Sequence, residues 1–71
     1  MKIESRIEGT FSGWSGDTVF LLVNGQVWQQ SRYAYRYRYA YRPRVVIENK
    51  GAGFTMSVEG MSDEVHVRRI A

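Results

Sequence analysis

Between positions 33 and 44 the chain reads Tyr33-Ala34-Tyr35-Arg36-Tyr37-Arg38-Tyr39-Ala40-Tyr41-Arg42-Pro43-Arg44, and this stretch holds all five tyrosines of the 71-residue sequence. Phenol rings stack on nucleobases and guanidinium groups meet phosphates, so these residue types suit a surface for single-stranded nucleic acid. Residues 32–44 carry five arginines and no acid, a local charge that the net +3 of the whole chain understates. Arg36, Arg38, Arg42 and Arg44 are the candidate phosphate contacts. The strict period of two is that of a β-strand, which sends the tyrosines to one face and Ala34, Arg36, Arg38, Ala40 and Arg42 to the other. A flat strand cannot show both faces to one ligand. Drawn straight, residues 32–44 would run about 43 Å at ~3.3 Å per residue, which is longer than a small domain, so the strand must bend. The odd parity of the tyrosines continues into Val45 and Ile47, and that continuity places the rings in a core or an interface instead. Both readings stay open at this level.

Other chemistry finds little to work with. The single His66 lies between Val65 and Val67 and points outward if those two point inward. A lone outward imidazole lacks the nucleophile-and-base partner that covalent catalysis requires. One histidine and no cysteine is a poor start for a metal site with three or four ligands. The acid pairs Glu4/Glu8 and Asp63/Glu64 look like solvated charge. Gly51-Ala52-Gly53 leads into a strand, so no helix terminus is there to bind an anion. The expectation is a chain that is not an enzyme and uses no cofactor.

The elements that must hold the tyrosine stretch are all strands. Residues 3–11 form a first strand with Ile3, Ile7 and Phe11 inward and a bend at Gly9. Gly13-Trp14-Ser15-Gly16-Asp17 is a turn cluster, in which Trp14 serves either as a core plug or as a stacking platform. Asn24-Gly25 between two apolar runs predicts a two-residue type I′ hairpin. In that register Val27 faces Leu22, and Phe20, Leu22 and Val27 enter the core. Val19, Leu21, Val23 and Trp28 are then left on an outer face, with Gln26 and Gln30. So apolar a patch on a monomer marks a contact surface. Pro43 interrupts the pattern at an edge or bulge. Val45–Glu48, Phe54–Glu59 and Glu64–Ile70 are three further strands, with Phe54, Met56, Val58, Val65 and Val67 inward.

About six strands split by turn signals, with no helical period, predict a single all-β domain over residues 1–71, a small barrel of five or six antiparallel strands. A core of this size contributes a net stability of roughly 3–5 kcal/mol, without disulfides to add to it. Residues 1–6 lack the apolar run of a signal peptide and no stretch is long enough to span a bilayer, so the expectation is a cytoplasmic protein with no membrane partner.

The run Gly9-x-Phe11-x-Gly13-Trp14-x-Gly16-x-Thr18, then Phe20-x-Leu22-x-Asn24-Gly25-Gln26-Val27-Trp28-x-Gln30, then the Tyr/Ala ladder, resembles a group of very small bacterial proteins, some of them carried on integron gene cassettes. The resemblance covers nearly the whole chain and implies an SH3-like barrel and a bacterial source. It implies no activity and no ligand residues.

Two functions from different classes follow. One is a nucleic-acid-binding module, with Arg36, Arg38, Arg42 and Arg44 on phosphates and a tyrosine or Trp14 stacking. The other, favoured by the apolar outer face, is an interaction or assembly module that pairs with a copy of itself. Its interface would use Val19, Leu21 and Trp28 together with Tyr35, Tyr37 and Tyr39. Residues 33–41 read the same in both directions about Tyr37, so two antiparallel copies centred there are self-complementary, as a two-fold interface requires. In such a pair Arg36 faces the copy's Arg38, and that repulsion needs a nearby acid or an anion to neutralise it.

Overall fold

The computed structural model describes residues 2–71 and is built of strands alone. In chain order these are β1 (Lys2–Arg6), β2 (Thr10–Phe11), β3 (Val19–Leu21), β4 (Val27–Gln30), β5 (Ala40–Tyr41), β6 (Arg44–Asn49), β7 (Phe54–Val58) and β8 (Glu64–Arg69). Six of them form one antiparallel sheet in the order β1-β6-β7-β8-β4-β3, and β2 pairs separately with β5. The sheet curls so that its two edges meet. Residues 6–8 leave the β6 side and turn onto the β3 side, where Glu8 N–H donates to Leu21 O (2.7 Å) and Val23 N–H to Arg6 O (2.9 Å). Strand-rich chains hide their edges in this way. The result is an all-β small barrel, as the alternation of residues predicts. None of its segments is a helix long and apolar enough to cross a membrane.

The wall formed by β6, β7 and β8 follows the pleat. Val45, Ile47, Met56, Val58, Val65 and Val67 are buried, and the residues between them face outward or are half-buried, Thr55 excepted. Phe54 is half-buried and meets Trp28 edge-on with ring centroids 5.2 Å apart. At one end of the barrel Phe11 packs between Trp14 and Phe20 (6.3 and 6.4 Å). Trp14 is therefore the plug of that end, 3 % exposed, and is not available to stack on a ligand. Among the described residues one buried polar side-chain atom, Thr55 Oγ1, has no hydrogen-bond partner.

The Asn24-Gly25 hairpin forms, but in a different register from the two-residue turn. Phe20 faces Trp28 and Leu21 faces Val27. Gly25 N–H donates to Leu22 O and Leu22 N–H to Gln26 O, both at 3.0 Å. The loop is thus Val23-Asn24-Gly25, a tight turn closed by Gly25 at positive φ (91°), the other common hairpin solution for this dipeptide. The side chain of Asn24 stabilises it by accepting from Gln26 N–H (2.9 Å). One extra loop residue shifts β4 by one position and turns its side chains over. Trp28 and Gln30, expected outside, are buried at 1 % and 3 %, while Val27 is half-buried. Val19 and Leu21 remain outside, 53 % and 48 % exposed.

Candidate functional site

Residues 33–41 do not form one long strand. They make a strap laid along residues 10–15, joined by the β2–β5 pairs Thr10↔Tyr41 and Phe11↔Ala40 and by an isolated bridge Trp14↔Arg36. Trp14 and Arg36 exchange backbone hydrogen bonds in both directions at 2.9 Å, and Ala34 N–H reaches Ser15 O at 3.3 Å. The molecule's longest axis is only 29 Å, so a straight strand over residues 32–44 would overrun it. Between the Phe11↔Ala40 pair and the Trp14↔Arg36 bridge, Ser12 and Gly13 lie opposite Tyr37, Arg38 and Tyr39, and this bulge bends the strap. Gly13, at φ 97°, takes the kink. A Cβ there would lie 2.0 Å from Arg36 O, so only glycine lets the two backbones come this close.

The strap alternates as its sequence requires, with the opposite sense to that inferred from Val45 and Ile47. Ala34 and Ala40 pack against the core, and the five tyrosines all face solvent, from 65 % exposed at Tyr39 to 76 % at Tyr33. The core reading of the tyrosines is thereby corrected. Parity is reset at Arg42, a non-glycine residue at positive φ (50°). After it Pro43 is buried and its carbonyl accepts from Ile7 N–H (3.0 Å), so the odd positions of β6 turn inward while those of the strap turn outward.

Gln30 holds the strap from inside. Its amide nitrogen lies 3.0 Å from the carbonyls of Ser15, Arg32 and Ala34, and its carbonyl accepts weakly from Thr18 N–H (3.4 Å). A buried amide is tolerated when its polar atoms are satisfied, and here they link the β2–β3 loop to the strap. The hairpin register hid this residue from sequence reasoning.

The arginines separate into groups. Arg36 forms an ion pair with Asp63, both side chains being largely exposed. The Arg38 guanidinium lies over Gly60, where an added Cβ would meet Nη2 at 2.7 Å. Both line an open groove of about 510 Å³ with Tyr37 and Tyr39 on one side and the 60–63 turn on the other. The bend thus brings phenols and guanidiniums onto one rim, which a flat strand could not do. Arg44 lies on the rim of an adjoining groove that shares Gly60 and Met61. Arg42 stands apart at the end of the strap, its carbonyl accepting from Arg6 Nη1 (2.9 Å).

Elsewhere, His66 Nε2 lies 3.4 Å from Arg32 Nη1, and because a guanidinium only donates, the imidazole nitrogen is the acceptor. Among the described residues no three His, Asp or Glu side chains converge on a point where a metal ion could sit. Comparison with protein-family models, with curated proteins and with solved structures gives no match to this chain.

Proposed function

We propose that the chain is a non-enzymatic interaction and assembly module of the cytoplasm, and that its recognition element is the strap, through which two copies pair. One observation carries this reading: the backbone phase of the strap agrees with its palindrome. The even residues Ala34 and Arg36 spend their N–H groups on residues 14–15, whereas Tyr35, Tyr37 and Tyr39 have no backbone partner among the described residues. Those odd residues are the ones that an antiparallel pair centred on Tyr37 would use. An unpaired edge of this kind is a template for another strand. Pairing sets Tyr37 against its own copy and Tyr35 against Tyr39, at about 0.2–1 kcal/mol for each aromatic pair. The repulsion between Arg36 and the copy's Arg38 is reduced because Asp63 already matches the charge of Arg36. Val19 and Leu21 stay exposed as a smaller secondary surface, without Trp28.

Light scattering tests this directly. The native chain is expected at twice its 8.3 kDa mass, and Tyr37→Pro, which removes one outward N–H, is expected to halve the measured mass with an unchanged far-ultraviolet spectrum. A native monomer, or a dimer that survives Tyr37→Pro, overturns the reading.

A further inference from the structure

We infer that the groove between the strap and the 60–63 turn is a subsite for single-stranded nucleic acid, with Arg38 on a phosphate and Tyr37 and Tyr39 on bases. Its volume of about 510 Å³ lies within the 300–1,000 Å³ typical of small-ligand sites, enough for a nucleotide unit. Two kinds of group converge there that a nucleotide needs together, an aromatic face and a cation. Of the two cations, Arg36 is matched by Asp63, while Arg38 has no acid partner among the described residues. Gly60 makes room for it: the guanidinium rests where a side chain would otherwise stand. Across Gly60 and Met61 the groove adjoins a second one that bears Arg44, but Glu59 stands there too and accepts from Arg44 N–H (3.2 Å), so the phosphate position is the one at Arg38.

A larger groove of about 630 Å³ between β1 and β6 carries Arg6 and Arg44 beside Glu4 but no aromatic ring, so it has cations without a stacking face. The inference shares the strap with the assembly reading but requires only one copy, so the two can fail separately.

The experiment is a fluorescence-anisotropy titration of labelled dT12 against the full chain, with a 12-base-pair duplex and heparin as comparators. Binding to dT12 is expected to fall with salt at a log–log slope of about −0.7 per phosphate contact. Arg38→Ala should reduce that slope by one contact. Tyr37→Leu removes one stacking face and should weaken dT12 about tenfold, while leaving heparin unchanged. Asp63→Asn frees Arg36, and should tighten dT12 and steepen the slope by one contact. No dT12 binding at low salt overturns the inference. So does equal binding of heparin and dT12 with indifference to Tyr37→Leu, which would describe a basic patch without a base site. Light scattering on the same samples keeps the two proposals apart: a monomer that binds dT12 supports the subsite and removes the pairing, and a dimer that ignores dT12 does the reverse.

Discussion

The β6–β7–β8 wall and the strap are written in the same period of two, and they use it in opposite ways. In the wall the large apolar residues of each pair face inward, and each internal strand is hydrogen-bonded on both sides. In the strap the large residues face outward and two alanines face the core, on a ribbon bonded along one edge. Alternation therefore specifies a strand-like backbone but not which face is buried. What decides the face is the size of the space on each side. Ala34 and Ala40 fit against a core already filled by Phe11, Trp14 and Phe20, where phenol rings would not.

The sharpest way to break that comparison is to exchange equivalent truncations. Trp28→Ala, on β4 where the ring is buried against the wall, should cost about 3–5 kcal/mol, which is most of the stability expected of so small a domain, and a thermal melt should find it largely unfolded. Tyr35→Ala, a truncation of a large side chain on the strap, should change stability by no more than about 0.5 kcal/mol. Equal losses for the two would mean the tyrosine is packed and the contrast is wrong. A smaller effect sharpens the boundary between the regions. Gly13→Ala sets a Cβ against Arg36 O and a non-glycine residue at positive φ, at about 3 kcal/mol, the upper range for strained backbone. Amide exchange should speed up at Trp14, Ala34 and Arg36 while Val45, Met56 and Val65 stay protected. Uniform loss of protection would show that strap and wall unfold as one unit. The smallest effect concerns the junction. Arg42→Gly relieves a positive φ and should stabilise the chain by about 0.5–1 kcal/mol in denaturant; destabilisation would mean that the arginine side chain is engaged.

Much of the barrel was legible because burial and alternation agree there. Ile7, Phe11, Met56 and Val65 lie inside as their parity requires, and Gly9 breaks the first strand where its position suggests, at φ 76°. Two local choices were not legible. Asn-Gly serves both two-residue and three-residue hairpins, and the choice rests on whether the Trp28 or the Val27 side of β4 better fills the core, which is a tertiary question. The strap's inversion depends on a single backbone angle at Arg42, and arginine carries no signal for positive φ. The site followed the same division. The arginines and tyrosines were found from their types, whereas Gly60 and Asp63, which complete the groove, have nothing in their local sequence to connect them with residues 36–39.

Both tryptophans lie inside the barrel, at 1 % and 3 % exposure, and all five tyrosines lie outside it. The two chromophores are thereby sorted by region, so the molecule carries its own pair of optical probes. Emission excited selectively through the indoles reports the integrity of the barrel. Ultraviolet absorbance of the phenols reports contact at the strap, and so does their reactivity towards nitration or iodination. Partner binding should protect the phenols from reagent while leaving the indole spectrum in place, and unfolding should shift the indole spectrum first to that of water-exposed tryptophan. Occupancy and folding can then be followed in one cuvette, without any label.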